Sequence, residues 1–131
     1  MRALVVDDSR AMRALLTNIL EGLGAEVEQA DDGLAALEAL RQHPAPDVAL
    51  VDWNMPNMDG LELVRILRKD PVRPKALMMV TSESQHDQMV RALLAGADEY
   101  LIKPFTADAV TEKLTLLGVA LPAAAAAGVE D

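Results

Sequence analysis

The sequence predicts an α/β fold with a parallel sheet, and two features lead to this prediction. Short apolar runs alternate along the chain with longer segments in which apolar residues recur every three or four positions, as they do on one face of a helix. A regular alternation of strand and helix favours right-handed crossovers, which place the strands parallel in one sheet. With 131 residues, the chain is long enough for one domain with its own core.

Five runs are predicted to be strands. They are residues 3–6, 25–30, 48–51, 76–80 and 100–102. The first, third and fourth runs are entirely apolar, which is typical of strands buried on both faces of a sheet. The run at 25–30 alternates polar and apolar residues, so we expect it at an edge of the sheet.

Five helices are predicted between and after these strands. Apolar residues fall at helical spacing in residues 12–23, 34–40, 63–67, 89–97 and 110–117. Asp8 or Ser9 is a suitable N-cap for the first helix, and Gly24 is expected to end it. The third helix is predicted to begin near Asp59-Gly60, where Asp suits a turn or cap and Gly tolerates a positive φ.

Composition narrows the functional classes. The net charge of −9, from 21 acidic and 12 basic residues, argues against direct binding to nucleic acid. The absence of cysteine excludes disulfides and thiol chemistry. No apolar run approaches the length of a membrane span, and only Met1-Arg2 precedes the first strand, so we expect no membrane insertion, no signal peptide and a cytoplasmic location.

The chain is expected to form one domain over residues 1–118, followed by a tail. Residues 119–131 contain Pro122 and a run of alanines without an apolar face, so we expect them to be disordered or loosely helical. We expect the chain to carry no output domain of its own. The output is therefore expected to be binding to another protein.

The most informative residues are polar ones at the ends of apolar runs. They are Asp7-Asp8, Asp52, Thr81-Ser82 and Lys103. Parallel strands bring these ends to one edge of the sheet, where open α/β sheets bind ligands. Three carboxylates at that edge need a cation to offset their repulsion, and Mg²⁺ suits oxygen ligands. An amine and a hydroxyl beside them could hold an anion, which indicates a site that receives a phosphoryl group.

Each of these residues also has an ordinary structural alternative. Asp7-Asp8 could cap the first helix, and Thr81-Ser82 could cap a later one. Asp52 could be a solvated turn residue, and Lys103 a surface lysine. Their shared edge favours a functional site over these alternatives. Trp53, next to Asp52, is expected to be exposed.

These motifs, taken in order, resemble those of the receiver domains of two-component response regulators. The resemblance rests on VVDD at residues 5–8, on DWNMPNMDGLEL at residues 52–63 and on KPFT at residues 103–106. It covers about residues 1–117 and is greatest for the single-domain chemotaxis regulators. It implies a flavodoxin-like, doubly wound, five-stranded parallel sheet with strand order 2-1-3-4-5, flanked by five helices.

The resemblance implies that Asp52 is a phosphoacceptor. A histidine kinase would supply the phosphoryl group. Lys103, the Thr81 hydroxyl and the backbone amide of Ser82 would contact its oxygens. The bond between Lys103 and Pro104 would be cis, which aims the amine into the site; X-Pro bonds are the ones in which cis is accessible.

The resemblance also implies a Mg²⁺ site. Its ligands would be Asp7, Asp8, Asp52 and the backbone carbonyl of Asn54, with Asp7 often acting through water. Asn54 and Glu83 would occupy the two variable positions that tune dephosphorylation.

A switch through Thr81 and Tyr100 would carry the signal to a downstream protein, and that partner could be the flagellar motor switch. Tyr100 could alternatively be only a half-buried strand residue. A phosphatase is a further candidate partner. The protein would be a switch that assists its own phosphorylation rather than an enzyme. The alternatives are a phosphorelay intermediate, a phosphate sink or an aspartate-nucleophile phosphatase, and Asn54 disfavours the last because such enzymes carry a second acid at that position.

Overall fold

Strands and helices alternate strictly in the computed structural model, which describes residues 1–55, 58–70, 74–82, 86–119 and 121. Within these ranges the strands are β1 Arg2–Val6, β2 Glu26–Ala30, β3 Val48–Asp52, β4 Ala76–Thr81 and β5 Glu99–Ile102. The helices are α1 Arg10–Gly22, α2 Gly33–Gln42, α3 Gly60–Lys69, α4 His86–Ala95 and α5 Ala107–Leu116. The type and order of every predicted element are confirmed.

The strands form one parallel sheet in the order β2-β1-β3-β4-β5. This confirms the predicted order and places β2 and β5 at the two edges. The chain runs from β1 outward to β2 and then crosses back to β3 on the other side of β1. The carboxyl ends of β1 and β3 therefore flank the point where the strand order reverses, which is where such sheets bind ligands.

Two apolar clusters cover the two faces of the sheet. Successive side chains of a strand point to opposite faces, so Leu4 belongs to one cluster and Val5 to the other. The first cluster also holds Leu63 and Val64 of α3, and the second holds Leu16 of α1 together with residues of α5. Burial on both faces explains why β1, β3 and β4 read as continuous apolar runs.

Side-chain caps begin four of the helices within the described ranges. The side chains of Ser9, Asp32, Asp59 and Thr106 each accept a backbone N–H at the start of α1, α2, α3 and α5. For α1 the cap is thus Ser9, which leaves the adjacent aspartates available for another role. Gly24 follows the end of α1 with a φ of 92°, a conformation that favours glycine.

Packing continues beyond residue 118. Val119 packs against the second cluster and Leu121 is buried in it, although both were assigned to the tail. Residue 120 and residues 122–131 lie outside the described ranges, so the disordered tail stays a prediction. Among the described helices, none is long and apolar enough to cross a membrane.

Candidate functional site

Three carboxylates meet at the carboxyl ends of β1 and β3. Asp7 and Asp8 follow β1 directly, and Asp52 is the last residue of β3. Each offers a carboxylate oxygen, and these oxygens lie within 4.8 Å of one another. Asp7 and Asp52 are 1% and 4% exposed, whereas Asp8 is exposed. The cluster is therefore a largely buried acidic pocket that opens to solvent on the side of Asp8.

Asp7 is held in place by contacts with both its side chain and its backbone. Its Oδ1 accepts a hydrogen bond from the backbone N–H of Ser9, with an N–O distance of 2.8 Å. Its backbone carbonyl oxygen accepts a hydrogen bond from Nη1 of Arg13, with an N–O distance of 2.7 Å. Its own N–H donates to the carbonyl of Ala30 at the end of β2. The start of α1 thus fixes the turn that carries Asp7 and Asp8.

Lys103 supplies an ammonium that pairs directly with two carboxylates of the acidic pocket. Its Nζ lies 3.2 Å from Oδ1 of Asp52 and 3.4 Å from Oδ2 of Asp7. The Lys103–Pro104 peptide bond is cis, as predicted. The backbone N–H of Lys103 donates to the carbonyl of Thr81, so the ends of β4 and β5 are joined beside the site. One ammonium opposes three carboxylates, so the pocket keeps excess negative charge when all three are ionised.

Burial and charge act together on Asp52. Desolvation by burial and then the nearby carboxylate of Asp7 raise the pKa of Asp52 from 3.8 to about 6. The ammonium of Lys103 and the backbone N–H of Asn54 oppose this shift by stabilising the ionised form. A cation in the pocket would favour the ionised form further. At neutral pH the carboxylate of Asp52 is therefore ionised in the majority of molecules.

Gly60 allows the start of α3 to approach the end of β3 closely. Its N–H donates to the carbonyl of Trp53 at 2.8 Å. A Cβ added at Gly60 would lie 2.2 Å from the carbonyl oxygen of Asp52. Glycine is therefore required here by the close approach of two backbones. The sequence suggested that glycine is needed at position 60 because it tolerates a positive φ. Gly60 is not among the described glycines with a positive φ, so that explanation is wrong.

The other predicted residues lie around the same edge. Thr81 is the last residue of β4 and is buried, and the exposed Ser82 follows it. Asn54 is exposed, two residues after Asp52. Tyr100 is partly buried on β5. Glu83 lies outside the described residues, so its role stays a prediction.

Tyr100 and Thr81 are neighbours across two strands. Tyr100 pairs with Met79, which is two residues before Thr81 on β4. Because side chains alternate along a strand, Tyr100 and Thr81 share one face of the sheet. The structure thus brings the predicted switch pair to one face near the pocket.

The prediction that the side chain of Trp53 is exposed is wrong. Trp53 is 8% exposed and belongs to the first apolar cluster, and the guanidinium of Arg91 lies 5.8 Å from its ring centroid. The backbone of Trp53 also continues the pairing with β4, since its N–H donates to the carbonyl of Val80. Its side chain therefore packs in the core and does not face the solvent.

Two features of the site were missed by sequence reasoning. Arg13 follows the cap Ser9 by four residues, a spacing that places it one turn along the same face of α1, and this spacing could have indicated its contact with Asp7. Lys113 and Glu99 form an ion pair beside Tyr100. Nothing in their separation along the chain predicts that contact.

The residues present fit a small divalent cation. Three carboxylates with oxygens close together form a group of hard ligands. Two of them are buried, so solvent stabilises their negative charge poorly. The exposed position of Asp8 gives this side of the cluster access to solvent. The arrangement could therefore hold a metal ion next to the carboxylate of Asp52.

Comparison with known proteins identifies the family to which this fold belongs. Residues 3–115 match the response regulator receiver domain family. The chain is 40% identical over 116 residues to the chemotaxis protein CheY-3 of Vibrio cholerae, covering 87% of this chain and 88% of that protein. It is equally similar to the chemotaxis protein CheY of Pseudomonas aeruginosa, of which the match covers 93%.

Solved structures lead to the same class. The structure of chemotaxis protein CheY4 from Vibrio cholerae, crystallised at low pH, superposes with a TM-score of 0.82 at 32% identity. The match covers 91% of this chain and 98% of that one. The family match, the strand order and this superposition together define a receiver domain. The chain belongs to the response regulator receiver family and is a phosphorylation-activated response regulator.

Proposed function

We propose that Asp52 is the residue that accepts the phosphoryl group, and that a histidine kinase donates it. The observation that carries this proposal is the position of the Asp52 carboxylate. It lies at the reversal point of the sheet, buried, beside two further carboxylates and 3.2 Å from the ammonium of Lys103. A pocket with these groups has an attacking oxygen, room for a cation and a counter-charge for an incoming anion.

Transfer would form one P–O bond and break one P–N bond. An ionised oxygen of Asp52 attacks the phosphorus in line, and the electron pair of the P–N bond returns to the imidazole of the kinase, which takes up a proton. Positioning and charge stabilisation carry such a reaction. Asp7, Asp8, Asp52 and the Asn54 carbonyl would hold Mg²⁺, which would supply positive charge beside the phosphoryl oxygens.

Three groups of the chain itself are assigned to those oxygens. Lys103 would leave its present partner oxygen on Asp52 and pair with the phosphoryl group, staying close to Asp7. The hydroxyl of Thr81 and the backbone N–H of Ser82, at the end of β4, would donate to the other oxygens. Water later hydrolyses the acyl phosphate, and Asn54 and Glu83 are the residues proposed to tune that rate.

The signal is proposed to leave through the surface of α4, β5 and α5. When Asp52 is phosphorylated, Thr81 gains a strong acceptor and moves toward it, and the ring of Tyr100 moves into the space that Thr81 leaves. The change requires a contact-energy difference of only a few kcal/mol between two existing states. Large apolar side chains are already exposed on this surface, among them Leu94 at 82% and Leu116 at 67%.

The downstream partner is proposed to be a component of a chemotaxis pathway. The support is the similarity to relatives named chemotaxis proteins CheY and CheY-3. The flagellar motor switch is the first candidate within that pathway, and a dedicated phosphatase is a further candidate partner.

The test is phosphotransfer from radiolabelled acetyl phosphate with Mg²⁺, followed by gel analysis. The wild-type protein should become labelled, and Asp52→Asn should not. Asp59→Asn is the matched control, because Asp59 caps α3 close to the site and asparagine caps equally well. Equal labelling of Asp52→Asn and the wild type would show that the acceptor is a different residue.

A further inference from the structure

Tyr100 is covered by an ion pair that the role of the acidic pocket does not require. Nζ of Lys113, on α5, lies 3.0 Å from Oε1 of Glu99 and 4.6 Å from the centroid of the Tyr100 ring. The same Glu99 oxygen accepts the backbone N–H of Tyr100 at 3.0 Å. The two charged side chains are only 26% and 20% exposed, so solvent screens them less than a fully exposed pair.

The lysine reaches around the edge of the sheet to make these contacts. Tyr100 packs against the first apolar cluster, whereas α5 contributes Val110 and Leu114 to the second, on the opposite face. β5 is an edge strand, so the side chain of Lys113 can pass beside it and place its ammonium over the Tyr100 ring. Movement of the ring away from its present, partly buried position would lengthen the 4.6 Å contact with the ammonium.

We propose that Glu99 and Lys113 form a latch that holds Tyr100 in the resting position and so sets how readily phosphorylation switches the domain. This inference rests on the proposed function of Asp52 and on the movement of Tyr100 toward Thr81. That movement takes the ring away from the ammonium above it. Loss of an attractive cation–π contact therefore opposes switching.

By linkage, a weaker latch makes the pocket bind a phosphoryl mimic more tightly. Whatever shifts the equilibrium toward the switched state raises the affinity for a ligand that prefers that state, and the coupling is reciprocal. We expect Glu99→Gln and Lys113→Met each to lower the beryllium fluoride concentration for half-saturation about threefold, the factor that corresponds to one cation–π contact. The double variant should match the single variants, because both remove the same latch.

The sign of the affinity change in each single variant distinguishes the latch from a general effect of protein charge on an anionic ligand. Glu99→Gln removes a negative charge and Lys113→Met removes a positive one, so a bulk effect on an anionic ligand would strengthen binding in the first variant and weaken it in the second. The latch predicts tighter binding in both. Glu112→Gln is the charge control, since Glu112 is exposed on α5 and makes no ion pair within the described part of the chain. It should leave the affinity unchanged.

The experiment is a beryllium fluoride titration with Mg²⁺, followed by NMR of protein labelled with ¹³C in its tyrosine ring. The chain contains one tyrosine, so the signal reports Tyr100 alone. In both variants the ligand-free signal should move from the wild-type free position toward the wild-type bound position. Opposite affinity changes, or ligand-free signals that do not move, would refute the latch and leave Asp52 as acceptor. No binding of beryllium fluoride to the wild-type protein would instead contradict the proposed function, and the latch with it.

Discussion

Replacing Asp52 by asparagine should stabilise the metal-free protein at alkaline pH. The folded chain raises the pKa of Asp52 from 3.8 to about 6, so the fold disfavours the ionised form relative to the unfolded chain. A shift of roughly two units corresponds to about 3 kcal/mol, because each unit is about 1.4 kcal/mol. Asparagine has nearly the same shape and carries no charge, so the variant does not bury an ionised carboxylate and is not destabilised by it. Lys103 keeps Asp7 as a partner in the variant.

The pH dependence has a definite sign. Between about pH 4 and pH 6 the folded state binds more protons at Asp52 than the unfolded state does, so this group lowers stability as the pH rises through that window. The full destabilisation by the ionised carboxylate of Asp52 is present well above pH 6, and none of it remains below about pH 4. Asp52→Asn should therefore exceed the wild type in free energy of unfolding by up to about 3 kcal/mol at pH 8, and by almost nothing at pH 4.

Urea unfolding in EDTA at pH 4, 6 and 8 measures this difference. The chain has one tryptophan, and because Trp53 is buried its fluorescence should report unfolding. Asp59→Asn removes the same charge at an exposed cap and serves as the control, with little change expected at any of the three pH values. A variant at Asp52 that is no more stable than the wild type at pH 8, or whose advantage is the same at pH 4, would refute the reasoning.

Three further predictions concern the same edge of the sheet. Mg²⁺ at millimolar concentration should raise the melting temperature of the wild type, and Asp8→Ala should remove most of that rise while stabilising the metal-free protein by relieving repulsion; a melting curve indifferent to Mg²⁺ would contradict the site. Gly60→Ala should cost about 1–3 kcal/mol in urea unfolding because its Cβ meets the Asp52 carbonyl, and a neutral effect would contradict the close approach. Thr81→Ala should bind beryllium fluoride with Mg²⁺ but no longer couple that binding to the Tyr100 NMR signal; full coupling in the variant would contradict the proposed route.

The sequence was most informative where burial alone decides the pattern. The apolar runs of β1, β3 and β4 are buried on both faces, so their ends could be located, and with them Asp7, Asp52 and Thr81. Because parallel strands end at the same edge of a sheet, these residues could be placed together without knowing any side-chain contact. The acidic pocket was predictable for that reason.

Contacts between distant elements were not predictable in the same way. Trp53 was expected at the surface because it follows Asp52, yet its neighbours in space come from β4 and α4. Gly60 was explained by its conformation, whereas its real constraint is the backbone of Asp52. The pairing of Lys113 with Glu99 depends on how α5 crosses the edge strand. In each case the decisive partner is set by packing, which a pattern of hydrophobicity does not encode.

The most direct test of the phosphoacceptor is to locate the acyl phosphate chemically. The protein is phosphorylated with acetyl phosphate and Mg²⁺, reduced with borohydride, digested and analysed by mass spectrometry. Borohydride converts a phosphorylated aspartate to homoserine, so the peptide containing Asp52 should carry that change at residue 52 and at no other aspartate. Conversion at Asp7, Asp8 or Asp59 in place of Asp52, or none at all in protein shown to carry the label, would contradict the assignment.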